Sequence, residues 1–203
     1  MRTPWRSFLV SRADARIGWG LLIAIAIQGS LSGTTLTLPF AVFPLVQAAA
    51  PLLPAASGCL VGSVLVRRMP ELEVGGWTLI RYRAALALLV LVGATAVSGV
   101  GLIAAPATFD GMILRNACAF AGLALLGARI LGARMAWLPV MLLALVIFLD
   151  GKNRYDGSAR GWAFLLKPAG DVSSLSITAT LAVFGLLIYA FADSRAQSGI
   201  RET

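Results

Sequence analysis

Histidine does not occur in the chain, and charge is scarce: lysine, arginine, aspartate and glutamate make up only 13% of its 203 residues. Without imidazole there is no serine–histidine hydrolysis, no HExxH zinc site, no imidazole-ligated haem and no histidine proton relay. A six-span intramembrane serine protease is excluded on the same ground, since Ser57-Gly58 and Ser98-Gly99 have no base to work with. Lysine occurs only at Lys152, before Asn153, and at Lys167, before Pro168, so a phosphate loop ending in Gly-Lys-Ser/Thr cannot form. Cys59 and Cys118 lie singly inside apolar runs with no CxxC neighbour, which makes them small packing residues rather than zinc or redox ligands. An ion-coupled carrier needs a carboxylate within the membrane. The nine acids (Asp14, Glu71, Glu73, Asp110, Asp150, Asp156, Asp171, Asp193 and Glu202) all fall at the edges of apolar runs or between them. There is also no internal repeat of the kind many such carriers show.

What remains is apolar. Hydrophobic residues make up 59% of the chain, and the charged share is well under the about 25% of an ordinary soluble domain. The expected fold is all-α: a polytopic membrane protein with one six-span domain over 17–203, preceded by an interfacial helix at 1–16. In that helix Trp5, Phe8 and Leu9 fall on one face while Arg2, Arg6, Arg12 and Arg16 supply the polar positions. Charge interrupts this segment too often for a signal peptide. The spans are read at 17–32, 38–66, 84–105, 112–131, 135–149 and 174–192. The second carries Pro39, Pro44, Pro51 and Pro54 and is read as one kinked helix, with two half-spans as the alternative. Leu36 and Leu38 are available to extend the first.

The net charge of +8 does not point to nucleic acid, because the bases sit at the ends of apolar runs, where they anchor helices. With the N-terminus inside, Arg2, Arg6, Arg12, Arg16, Arg67, Arg68, Arg81, Arg83, Arg129, Arg134, Arg195 and Arg201 face the cytoplasm. Arg115, Lys152, Arg154, Arg160 and Lys167 face out. Both termini are therefore expected in the cytoplasm, and the protein in the cell membrane. Spans three and four carry small residues at i, i+4 (Ala94 with Ser98, Thr95 with Gly99, Cys118 with Gly122), a spacing that brings helix backbones close without saying which helices pair.

Two polar segments stand out. Arg67–Arg83, RRMPELEVGGWTLIRYR, separates spans two and three. Within it Glu71 and Glu73 flank Leu72, and Trp77 adds an amphipathic surface of the kind enriched at protein contacts; the alternative is a solvated loop in which the acids pair with Arg67 or Arg68. The segment 150–173 has an apolar middle, Gly161-Trp162-Ala163-Phe164-Leu165-Leu166, too short to span and expected to lie in the outer interface or re-enter it, with an ordinary loop carrying an apolar patch as the alternative. Asp110, Arg115, Asp150 and Trp162 are candidates for a charged outer gate, weighed against surface solvation or helix anchoring at the membrane edge.

In order, an amphipathic helix before span one, a polar cytoplasmic segment after span two and GWAFLLKP before span six resemble the membrane subunit of ATP-binding-cassette exporters, the permease class serving drugs, antibiotic peptides and polysaccharides. The last span, with Phe184-Gly185 and Tyr189, is similar to small permeases of that type, although the chain is short for the class. The resemblance implies that Pro70, Glu71, Leu72, Glu73, Val74 and Trp77 form a coupling helix docked on a separate ATPase subunit. It also implies that ATP and magnesium bind that partner rather than this chain, that a second permease copy completes the route, and that an apolar or amphipathic cargo moves between the two. No catalytic residue, cofactor or metal is expected in the chain itself; besides these subunits its surroundings are membrane lipid. A non-transporting accessory, scaffold or immunity membrane protein is the alternative.

Overall fold

Four helices of the chain are long and apolar enough to cross a membrane, over Ile80–Val100, Gly111–Ile130, Ala133–Asp150 and Val172–Phe191. The computed structural model describes residues 23, 26, 35–38, 45–48, 51–63, 77–104, 111–153 and 156–191. In chain order these form strands β1 (Thr35–Leu38) and β2 (Leu45–Ala48), then helices α1 (Pro54–Ser63), α2 (Trp77–Ala104), α3 (Gly111–Ile130), α4 (Trp137–Asp150) and α5 (Val172–Phe191). Short 3-10 turns at Ala133–Met135 and Phe164–Leu166 lead into α4 and towards α5. The expected interfacial helix at 1–16 and almost all of the first span lie outside the described residues.

The single kinked helix expected over 38–66 is not formed. β1 and β2 pair antiparallel, with Thr35 opposite Ala48 and Leu38 opposite Leu45, and helix begins only at Pro54. Leu36 and Leu38 therefore belong to a strand instead of extending a first helix. The cause is local. Proline pushes the residue before it out of the helical region, so Pro39, Pro44 and Pro51 act as breaks, and β-branched Thr35, Thr37 and Val46 favour extended backbone. Pro54 sits at the first position of α1, where its missing N–H costs nothing.

α3 is the centre of the bundle. It packs against α1, α2, α4 and α5, and 67% of its span is buried, against 28% for α2 and 22% for each of α4 and α5. Its residues explain the position: Ala117, Ala121, Gly122, Ala124, Gly127 and Ala128 present little bulk, so neighbours approach closely. The outer helices turn Leu88, Val92, Leu145, Val146, Val183 and Phe184 outward. Apolar residues exposed in this way are compatible with contact with lipid. At the crossing of α3 with α5 the contact is backbone on backbone: a Cβ on Gly122 would lie 2.6 Å from the Leu181 carbonyl oxygen, and one on Gly185 would strike the Gly122 carbonyl. The pairing that the Cys118/Gly122 spacing left open is thus α3 with α5. Ala94 and Ser98, the pair on α2, are fully buried, and the Ser98 hydroxyl meets that of Ser57 on α1 at 3.2 Å while Ser57 donates to the Pro54 carbonyl at 2.8 Å.

Gly132 ends the α3 side of the α3–α4 turn with φ of 91°, a left-handed conformation that a side chain would strain. The turn is so short that α3 and α4 run antiparallel side by side.

Candidate functional site

The described charged side chains gather at the two ends of the bundle. One end, the loop end, is closed by residues 151–171 between α4 and α5; the other, the turn end, carries the α3–α4 turn.

At the loop end the first turn of α3 places Arg115 and Asn116 inside the protein, 6% and 0% exposed. A buried guanidinium must have its donors met, since an unpaired buried charge costs several kcal/mol or about that. Arg115 donates to the carbonyls of Pro168 at 2.8 Å, Lys167 at 3.0 Å and Phe164 at 3.0 Å, and to Asn116 Oδ1 at 3.1 and 3.2 Å. Asn116 in turn donates to the carbonyls of Leu165 at 2.8 Å and Pro51 at 3.0 Å. The Phe164 carbonyl also receives the Lys167 N–H at 3.4 Å and the Pro168 carbonyl the Asp171 N–H at 3.1 Å, so Arg115 takes up the second lone pair of each. Two adjacent side chains of α3 therefore tie the closing loop and the entrance to α1 to the central helix. Guanidinium stays charged throughout the accessible pH range, so this is a fixed anchor and not a proton carrier.

The same loop buries its apolar centre. Ala163, Phe164 and Leu165 are inside, packed with Ala119, Phe120 and Ile147. The segment expected to lie in the outer interface or re-enter it packs its apolar centre between α1, α3 and α4, with Trp162 44% exposed beside it.

Asp150 ends α4 and pairs with Arg160 at 2.6 Å rather than with Arg115. The expected gate is thus split. Arg115 is a buried anchor, Asp150 belongs to a half-exposed ion pair worth about 0.2–1 kcal/mol, Trp162 faces outward, and Asp110 lies outside the described residues. Asn116 was visible in the sequence only as a polar neighbour of Arg115; its two carbonyl partners carry no residue-type signal.

Asp171 caps α5. Its carboxylate accepts from the Ser174 backbone N–H at 2.8 Å and from the hydroxyls of Ser173 and Ser174, both at 2.6 Å, with Lys167 Nζ at 3.7 Å. These bonds, the hydroxyl of Ser173 first, hold its pKa well below the ordinary value of 3.8. A depressed carboxylate contributes its stability above the unfolded pKa and loses it as pH falls through the folded one. The contribution of this cap to the thermal midpoint is therefore expected to be constant from neutral pH down to about 4 and to fall below that. Asp171→Asn should flatten the acid limb of a midpoint-against-pH curve; an unchanged limb would remove the cap from the account.

Comparison of the chain with protein-family profiles, curated proteins and solved structures gives no match.

Of the residues expected to contact an ATPase, Pro70, Glu71, Leu72, Glu73 and Val74 lie outside the described residues, and Trp77 is the first residue of α2. The segment 67–83 is therefore not a loop throughout: 77–83, with Arg81 and Arg83, is continuous with the helix that follows. Among the described residues no three cysteine, aspartate or glutamate side chains come together to hold a metal.

Proposed function

We propose that the chain is the transmembrane subunit of an ATP-driven exporter, a six-span protein of the cell membrane with both termini cytoplasmic, worked by a separate nucleotide-hydrolysing subunit. Two copies of the chain, or one and a diverged sister, would pass an apolar or amphipathic cargo between them. The observation that supports this reading is the length of α2. Its 28 residues extend about 42 Å at 1.5 Å per residue, against about 30 Å of bilayer hydrocarbon. The surplus includes Trp77, at the edge of the acidic-apolar segment 70–74. A push delivered there enters a single rigid rod whose lower half packs on the central helix through Leu86, Val90 and Ala94. That is the mechanical property a coupling contact requires.

The test is purification of the full chain from its native membranes in mild detergent. Wild type is expected to bring with it an ATP-hydrolysing subunit, and Glu71→Arg combined with Trp77→Ala to lose both the subunit and the ATPase activity. Retention of both by the double variant removes the assigned contact; absence of ATPase from the wild type removes the exporter.

A second reading, a non-transporting accessory, scaffold or immunity protein, is favoured by the closeness of the packing. Helices locked by backbone contact at Gly122 and Gly185 and by the buried Ser57–Ser98 bond suit a static body. Single-copy stoichiometry without a bound ATPase would decide for it.

A further inference from the structure

The described acids Asp150, Asp156 and Asp171 all stand at the loop end of the bundle. The turn end has the opposite character. Leu86 and Val90 of α2, Ala128 of α3 and Ala136 of the α3–α4 turn share one packed cluster, with Ala133 against it. Arg83 stands three residues before Leu86, hence on the same helix face one turn further out, whereas Arg81, two residues earlier, points about 200° away, to the outward side that carries Leu88 and Val92. Arg134 is held between Ala133 and Ala136 by the 3-10 turn. Arg81 and Arg134 are exposed and Arg83 is half-buried. None of the three guanidiniums has a hydrogen-bond or ion-pair partner among the described residues.

Next to these cations the turn presents apolar side chains to the surroundings. Leu131 is 48%, Met135 43% and Trp137 45% exposed. Tryptophan at the end of an apolar helix sits at headgroup level, which puts the arginines at the phosphate level of one leaflet and the apolar residues at the start of its acyl region. A ligand complementary to both is anionic at one end and apolar at the other.

We propose that Arg83 and Arg134, with the apolar rim of Leu131, Met135 and Trp137, form a seat for the headgroup of an anionic phospholipid. The cations alone would suit any phosphate; the rim selects one that carries acyl chains. Two elements meet at the seat, the start of α2 and the α3–α4 turn, so an occupying lipid bridges them and fixes the angle at which α2 leaves the bundle. The proposal does not depend on the exporter reading.

Native mass spectrometry of the full chain in mild detergent, with dioleoylphosphatidylglycerol or dioleoylphosphatidylcholine added at equal concentration, tests it. Each arginine near an anionic surface contributes about fivefold in affinity, and two about twenty-five-fold before screening. Wild type is therefore expected to retain phosphatidylglycerol at least about fivefold better. The double variant Arg83→Gln, Arg134→Gln should bring the two lipids close to parity, and Lys152→Gln at the loop end should leave the preference intact. Equal retention of the two lipids by wild type overturns the seat, as does an undiminished preference in the double variant. A fall as large in Lys152→Gln would mean net charge and not a seat. Displacement of the lipid by excess inorganic phosphate would mean a phosphate site indifferent to acyl chains and would equally overturn it. Should the double variant not fold, the wild-type preference must shrink between about 50 and about 500 mM salt as screening shortens; a salt-independent preference sinks the proposal.

Discussion

Gly122→Val is expected to lower the stability of the folded bundle by about 3 kcal/mol, the larger of the packing effects available in this chain. The added Cβ would lie 2.6 Å from the Leu181 carbonyl oxygen and 2.8 Å from the Ala182 backbone nitrogen and Cα. None of these is the end of a flexible side chain, so no rotamer change relieves the clash and α5 must move off α3. Between helices in lipid there is no hydrophobic drive to compensate, because acyl chains are as apolar as the faces that separate, and association rests on packing and hydrogen bonds. Gly185→Ala attacks the same contact from α5, since its Cβ would strike the Gly122 carbonyl. The double variant should therefore cost less than the two single costs together, the signature of one shared contact. Gly170→Ala, with open space around the new carbon, is the control and should stay near wild type. Thermal unfolding in detergent reads all four proteins. A Gly122→Val midpoint equal to that of Gly170→Ala would show that α3 and α5 do not meet there.

Arg115→Met keeps the length of the side chain and removes every donor. The carbonyls of Phe164, Lys167 and Pro168 and the Asn116 amide oxygen lose their charged partner together. An unsatisfied buried acceptor costs about 1–3 kcal/mol. The Lys167 and Pro168 carbonyls are only partly buried and regain water, so the net loss is expected at about 3 kcal/mol. Its location is the more telling readout. Backbone amides of 161–170 should exchange faster with solvent deuterium while those of α3 beyond the first turn stay protected, because the anchor holds the loop and not the helix. Arg115→Lys should fall between: one ammonium offers three donors from a single point and cannot reach the spread of acceptors met by a planar fork. Asn116→Ala, which frees the Pro51 and Leu165 carbonyls, should loosen the entrance to α1 as well. Uniform exchange across 161–170 in wild type and Arg115→Met alike would refute the anchor.

These two sites differ in how far the amino-acid sequence reveals them. Arg115 and Asn116 stand out as the only adjacent polar pair within the run that becomes α3, and an ionisable residue there invites a search for its partner. Complementary charge suggested Asp150, which the fold gives to Arg160 instead. The actual partners are main-chain carbonyls, which every residue possesses, so no side chain marks them. The i, i+4 spacing of Cys118 and Gly122 announced a close helix contact without naming the helix. The apolar run at 161–166 was legible as apolar and short, but lipid interface and protein interior both accept Phe164 and Leu165, and only the packing against Phe120 and Ile147 decides.

The prolines of 38–66 show the limit at shorter range. Counted singly, each kinks a helix; spaced as Pro39, Pro44, Pro51 and Pro54, they leave no stretch long enough to sustain one before Pro54, and the chain pairs as β1 and β2. Arg81 and Arg83 misled in the other direction. Counted as loop charges they placed the start of the third span at Ala84, whereas arginine is a good helix former whose long stem reaches water from inside a helix, and α2 begins at Trp77.

By itself the amino-acid sequence determined that this chain is a set of long apolar helices, and it located α3, α4 and α5 to within two residues, because length and hydropathy are local properties. Tertiary structure alone decided that α3, the span richest in alanine and glycine, takes the centre, that Gly122 meets Gly185, and that the Arg115 charge is met by carbonyls 49 to 53 residues away. Those outcomes depend on which surfaces come together in space, and in an apolar chain many surfaces are equally greasy; shape, to the scale of a single Cβ, makes the choice.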